Sequence, residues 1–132
     1  LKEVIKNGTA RKAKTLKRPD IAGKTGTTND LMDAWFAGFN SDIVTVTWMG
    51  YDQPKSLGNK ETGSRAALPI WIDYMRPLLN DYPIKNLVKP EGIIPYKINK
   101  KTGMTNNADE NGFYEYFYEE YPPFDNSYFV IN

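Results

Sequence analysis

Between residues 20 and 51 three apolar stretches alternate with short polar turns, and a fourth stretch with helical spacing follows them. Ile43-Val44-Thr45-Val46-Thr47-Trp48-Met49-Gly50-Tyr51 is rich in β-branched and aromatic residues and predicts a strand. Ala34-Trp35-Phe36-Ala37-Gly38-Phe39 predicts another, bounded by the turn residues Asn29-Asp30 before it and Asn40-Ser41-Asp42 after it. Asp20-Ile21-Ala22-Gly23-Lys24-Thr25-Gly26-Thr27-Thr28 reads as a strand of small residues and threonines, whose glycines suggest close approach by a ligand or another backbone. Short turns join the three, so an antiparallel meander is expected rather than a βαβ unit.

Asp52 to Gly63 is a Pro/Gly/Asn-rich loop. Ser64 then opens a helix to about Asn80, with Leu68, Ile72, Met75 and Leu79 spaced i, i+4, i+7, i+11 on one apolar face and with Pro69 and Pro77 able to kink or shorten it. Trp35, Phe36, Trp48, Trp71 and Met75 are expected in the core between sheet and helix. At the start, Leu1, Val4 and Ile5 form a short helical stripe ended by Asn7-Gly8, and with no N-cap before it the chain reads as beginning within a helix. Beyond Tyr82-Pro83 the composition changes: Gly92 to Ile98 reads as a small strand followed by the turn Asn99 to Gly103, Asn106 to Asn111 as a loop, and Gly112 to Tyr121 as a last aromatic, acidic element packed on the body. The division expected is 1–82 and an irregular C-terminal extension, 83–132.

With 40 % hydrophobic and 25 % charged residues, the 132-residue chain has the balance of a folded domain or part of one. No apolar run approaches the ~18 residues of a membrane span. The absence of both Cys and His excludes Ser-His and Cys-His pairs, zinc fingers, iron–sulfur clusters and disulfides within these residues. Acid–base work near neutral pH would fall to Lys, Tyr, Asp or Glu. The net charge of +1 hides a split: residues 1 to 24 hold eight Lys/Arg and two acids, and residues 104 to 132 hold six acids and no Lys/Arg. A basic arm of this kind, with abundant Tyr, raises a nucleic-acid-binding reading; two oppositely charged solvated faces explain it as well, and no nucleic acid is expected.

Three motifs invite chemistry. Gly23-Lys24-Thr25 ends like a phosphate loop, but Arg18 occupies the position of its first glycine. Asn107, Asp109, Asn111 and Gly112 mimic the start of a calcium loop, but Tyr118 stands where a bidentate Glu belongs. Lys24-Thr25-Gly26-Thr27 places a cation and two hydroxyls around a glycine. Strand alternation puts Lys24 and Gly26 on one face and Thr25 and Thr27 on the other, with twist and an edge ligand able to reunite them on one anion. The tripeptide alone is weak evidence, since Lys101-Thr102-Gly103 repeats it in a predicted turn.

Context separates the two copies. Gly23-Lys24-Thr25-Gly26-Thr27-Thr28-Asn29-Asp30, Asp33-Ala34-Trp35-Phe36-Ala37-Gly38-Phe39, Val46-Thr47-Trp48-Met49-Gly50-Tyr51-Asp52 and Glu61-Thr62-Gly63-Ser64-Arg65-Ala66-Ala67-Leu68-Pro69-Ile70-Trp71 together resemble the C-terminal part of the transpeptidase domain of class A (bifunctional) penicillin-binding proteins. That family uses S-x-x-K, S-x-N and K-T-G motifs. Ser41, Ser56, Ser64 and Ser127 satisfy neither of the first two, so only the third is present.

The resemblance implies an α+β fold in which an antiparallel sheet, three of its strands in this chain, packs against a long helix as part of a penicillin-binding-protein/serine β-lactamase-like domain. It implies that Lys24 supplies positive potential and engages the S-x-N serine, that Thr25 and Thr27 bind the carboxylate of a stem peptide or β-lactam, and that the Thr27 N–H is an oxyanion donor. Gly26 would let substrate backbone approach an edge strand. Arg65 would be either a surface residue or one that backs the site. The implied reaction is peptidoglycan cross-linking through a serine acyl-enzyme, with no cofactor or metal. The nucleophile would lie in the missing N-terminal part of the domain, membrane attachment in a missing N-terminal anchor, and the site in the bacterial envelope outside the cytoplasmic membrane. Alternatives are a non-catalytic wall-peptide binder and the nucleic-acid module.

Overall fold

In the computed structural model, which describes residues 1–105 and 111–123, the chain divides into two compact units, Leu1–Leu87 and Val88–Asn132. Residues 106–110, with the calcium-loop-like Asn107 and Asp109, and residues 124–132, with Ser127, lie outside the described residues. No helix among the described residues is long and apolar enough to cross a membrane.

The first unit contains helix α1 (Lys2–Lys6), a 3₁₀ segment Arg11–Leu16, strands β1 (Ala22–Thr27), β2 (Ala34–Phe39) and β3 (Val44–Met49), and helix α2 (Leu68–Leu78). The strands form the expected antiparallel meander, in spatial order β1, β2, β3. The β2–β3 turn is closed by Asn40, whose Oδ1 accepts hydrogen bonds from the backbone N–H of Asp42 (3.0 Å) and Ile43 (2.8 Å), which is why a short amide side chain stands there.

The expected single helix from Ser64 is two segments, a π-helical Gly63–Ala67 running directly into α2. Pro69 accounts for the change: it has no N–H to donate and its ring crowds the carbonyl four residues back, so the preceding turn widens. Pro77 lies in the last turn, and the helix ends one residue later. The apolar face is as the spacing predicts, with Leu68, Ile72, Met75 and Leu79 all buried.

Register decides which aromatics reach the core. Directly opposed residues share a face, and Thr25–Phe36–Thr47 and Thr27–Ala34–Met49 point toward α2, whereas Lys24–Ala37–Val46 and Gly26–Trp35–Trp48 point away from it. Phe36 and Trp71 are fully buried and meet edge to face, centroids 5.0 Å apart. The Trp71 Nε1–H donates to the Thr45 carbonyl (3.2 Å), and the Thr47 hydroxyl donates to that of Ala67 (3.0 Å). These bonds fasten helix to sheet and satisfy polar groups inside the interface. Trp35 and Trp48 depart from the expectation: they are 42 % and 46 % exposed, because period-two alternation carries them to the opposite face. There they lie against each other at 6.1 Å, and Trp48 Nε1–H donates to Asp33 Oδ1 at 2.8 Å.

In the second unit, β4 (Ile93–Ile98) and β5 (Phe113–Tyr118) pair as a two-stranded antiparallel sheet, with Tyr96 and Phe117 edge to face at 6.0 Å. Lys101-Thr102-Gly103 is the turn expected. The Lys101 and Thr102 N–H groups donate to Asn99 Oδ1 (2.8 and 2.9 Å), and Gly103 takes a left-handed φ of 71°.

Candidate active site

β1 is an edge of the sheet as described: β2 pairs along one side and no strand along the other. Its start is anchored by a contact the sequence pattern does not reveal. Arg18 donates from Nε and from one terminal nitrogen to the two carboxylate oxygens of Asp20 (2.7 and 2.6 Å), and to the carbonyls of Leu79 (2.7 Å), Tyr82 (2.8 Å) and Pro83 (3.3 Å) beyond the end of α2. Both side chains are buried. The hydrogen bonds from Arg18 hold the Asp20 carboxyl below the usual carboxylate range against the opposing effect of burial. One guanidinium therefore ties the C-terminal end of α2 to the residues entering β1. The only local signal was two opposite charges flanking Pro19.

Along β1 each polar group has a distinct environment. Lys24 is exposed, and its Nζ donates to the Thr25 carbonyl at 2.7 Å. The ion pairs among the described residues are Arg18–Asp20 and Lys85–Asp42, so no carboxylate within ion-pair distance neutralises Lys24. Thr25 Oγ1 lies 2.8 Å from the hydroxyl of Thr9. Thr27 Oγ1 accepts the Gly63 N–H at 3.0 Å. The alternation expected from the sequence holds, with Lys24 and Gly26 on one face and the two threonines on the other.

The sequence pattern assigns Gly63 no part in the site. A Cβ there would overlap the carbonyl oxygens of both Gly26 and Trp35, so the π-helical segment starts in backbone contact with β1 and β2. The same contact aims its N–H at Thr27. Gly26 is less confined: a Cβ would stand 3.1 Å from Trp35 Cβ, on the exposed face. Beyond Thr27 the chain turns through Asp30 and Leu31, both at positive φ (58° and 56°), and the turn is tied by Asp33 N–H to Thr28 Oγ1 at 2.8 Å and Leu57 N–H to the Leu31 carbonyl at 2.8 Å. Left-handed backbone at a leucine is strained, and it persists because both ends are held.

Other candidates are less suited to chemistry. Gly23-Lys24-Thr25 runs along a strand and does not open a helix, so it cannot cradle a phosphate as a phosphate loop does. Ser64 Oγ pairs with Thr62 Oγ1 (2.9 Å), Ser41 donates to the carboxylate of Asp42 (2.8 Å) and Ser56 accepts from the Gly58 N–H (3.2 Å), all contacts within two residues of sequence. Arg65 is exposed at the start of the π segment, without a side-chain partner among the described residues. No group of three or more potential metal ligands occurs among the described residues. What remains is an uncompensated cation, two hydroxyls and a strand edge, an arrangement that can bind an extended segment carrying a carboxylate.

No protein-family model matches the chain. Curated relatives do. Penicillin-binding protein 1A of Pseudomonas aeruginosa is 49 % identical over 124 residues, which is 93 % of this chain and 15 % of the relative. Penicillin-binding protein 1A of Neisseria lactamica is 51 % identical over 94 residues, 71 % of this chain and 12 % of that protein. Among solved structures, the crystal structure of penicillin-binding protein 1A from Haemophilus influenzae superposes with a TM-score of 0.85 at 36 % identity, over 95 % of this chain and 20 % of the other. The chain thus spans a small part, 12 to 15 %, of these curated relatives.

Proposed function

This chain is homologous over most of its length to penicillin-binding protein 1A, and from that kinship we propose that it forms part of a peptidoglycan D,D-transpeptidase, supplying the strand that receives the substrate carboxylate. Lys24 provides the positive potential. Thr25 and Thr27 donate their hydroxyl protons to the carboxylate of a D-Ala-D-Ala stem peptide or a β-lactam. Gly26 keeps the strand low enough for peptide backbone to lie beside it, and the Thr27 N–H is one of two donors to the oxyanion of the tetrahedral intermediate. The nucleophilic serine and its lysine lie on residues outside this sequence, as does the second oxyanion donor. The whole protein would attack the stem-peptide carbonyl with that serine, release D-Ala, and pass the acyl group to an amine of a neighbouring stem peptide. A glycosyltransferase domain and a membrane anchor would belong to the rest of the protein, with the site on the outer face of the cytoplasmic membrane. The segment by itself is inactive.

The observation that carries this reading is Lys24 on an unpaired strand edge, exposed and with no carboxylate to neutralise it. The hydroxyl geometry supports it too: Thr27 Oγ1 already accepts from Gly63, so its own proton is available to an anion.

The test is fluorescent-penicillin labelling of the full-length protein, followed by mass spectrometry of the labelled peptide. Labelling of a serine outside these residues, slowed by roughly 10²-fold in Lys24→Ala, is the expected result. A folded full-length protein that takes no label would sink the acyl-enzyme reading and leave a non-catalytic wall-peptide binder.

A further inference from the structure

Thr9 lies on neither β1 nor a helix, yet its hydroxyl reaches across sixteen residues of sequence to Thr25, 2.8 Å away. The turn that carries it is firmly held. Gly8 passes so close to α1 that a Cβ would stand 2.9 Å from both the Cα and the carbonyl oxygen of Val4. The Ala10 N–H donates to that same Val4 carbonyl at 3.1 Å, and the Ala10 side chain is fully buried. Thr9 is thus fixed between a glycine that permits the turn and an alanine that anchors it, with its side chain exposed beside the open edge of β1.

The neighbouring threonine shows what such a contact does. Thr27 Oγ1 accepts from the Gly63 N–H, a group that can only donate, so the Thr27 proton must point elsewhere. In the Thr9–Thr25 pair either oxygen could be the donor, and one hydroxyl proton is left over whichever way the bond runs. An anion arriving at the β1 edge selects the direction in which Thr25 keeps its proton free, and the bond from Thr9 then strengthens the Thr25 donor by polarising it.

We infer that Thr9 is a positioning residue that does for Thr25 what Gly63 does for Thr27. It donates to Thr25 Oγ1, fixes that rotor and turns the Thr25 proton toward the carboxylate of the bound peptide or β-lactam. This rests on the proposed role of Thr25 in receiving a carboxylate. It extends the site to a residue thirteen positions before the strand begins.

The experiment measures acylation of the full-length protein by a fluorescent penicillin and by its methyl ester, which lacks the negative charge. The wild-type protein prefers the acid. Thr9→Val lowers that preference by about tenfold, the order expected for one hydrogen bond that orients a donor to a charged group, and Thr9→Ser keeps it within about twofold. Thr9→Val adds little to Thr25→Val in the double variant, because the two act as one unit. A Thr9→Val protein that slows acid and ester equally, or whose effect adds in full to that of Thr25→Val, overturns the inference while leaving the carboxylate site intact. If Thr25→Val itself leaves the acid preference unchanged, or the wild type takes no label, the underlying reading fails and this inference falls with it.

Discussion

The Gly63 N–H donates to Thr27 Oγ1 at 3.0 Å, while a Cβ on Gly63 would overlap the carbonyl oxygens of Gly26 and Trp35. One glycine thus sets both the closeness of helix to sheet and the direction of a hydroxyl on the site strand. Gly63→Ala must move backbone on two strands and should cost about 1–3 kcal/mol, the order of overpacking a close contact. Gly26→Ala presses only on the Trp35 side chain at 3.1 Å and should cost less than about 1 kcal/mol, yet slow penicillin acylation by intruding on the peptide path proposed above. Thermal midpoints set beside acylation rates check the split: Gly63→Ala lowers both, and Gly26→Ala chiefly the second. Equal midpoints for the two variants would contradict the backbone contact.

The Arg18–Asp20 pair predicts a pH response. The Asp20 carboxyl sits lower in the folded chain than its ordinary 3.8, through hydrogen bonds from Arg18. The unfolded chain therefore binds the proton first as pH falls. The pair's stabilisation is complete well above 3.8 and is lost as pH drops through and below that value toward the folded-state pKa. Asp20→Asn should flatten stability between about pH 5 and pH 2. At neutral pH it should cost about 3–5 kcal/mol, because it leaves the Arg18 charge buried without its partner. Urea midpoints across that range are the measurement, and an unchanged acid slope in the variant would remove Asp20 from the account.

Trp71 and Tyr74 stand three residues apart on α2 with opposite fates. Trp71 is fully buried against Phe36 with its N–H on the Thr45 carbonyl, whereas Tyr74 is 56 % exposed. Trp71→Ala should cost about 3–5 kcal/mol and Tyr74→Ala about 0.5 or less. Denaturation midpoints would check this, and comparable losses at the two positions would contradict the orientation of the helix.

What the sequence made legible was local. Flanking turn residues delimit β2 at Ala34–Phe39, and the 3.6-residue spacing of Leu68, Ile72, Met75 and Leu79 picks out the buried side of α2. The aromatics of β2 follow the period of two instead. Trp35 and Phe36 are adjacent on a strand, so alternation allows only one of them to face the single helical layer. What stayed hidden is long-range. Arg18 meets carbonyls 61 to 65 residues away, Gly63 meets strands 28 to 37 residues back, and Thr9 meets Thr25 across 16. No periodicity encodes such pairs; the small residues Gly63, Ser64, Ala66 and Ala67 and the charges around Pro19 were their only traces.

The two Lys-Thr-Gly tripeptides separate motif from context within one molecule. In the first, Lys24 rises from one face of an edge strand whose other face carries two hydroxyls held by neighbouring groups. In the second, the backbone of Lys101 and Thr102 is bound to Asn99 Oδ1 and Gly103 takes the left-handed conformation a turn requires, so the tripeptide is there for its turn geometry. Lys24→Ala should slow penicillin acylation by roughly 10²-fold, and Lys101→Ala should leave it within about twofold, since removing that side chain leaves the backbone donor to Asn99 in place. Acylation rates of the two full-length variants decide the matter. A large loss at Lys101 with none at Lys24 would transfer the carboxylate site to the second unit and undo the assignment to β1, because both positions carry the same charge and only their surroundings differ.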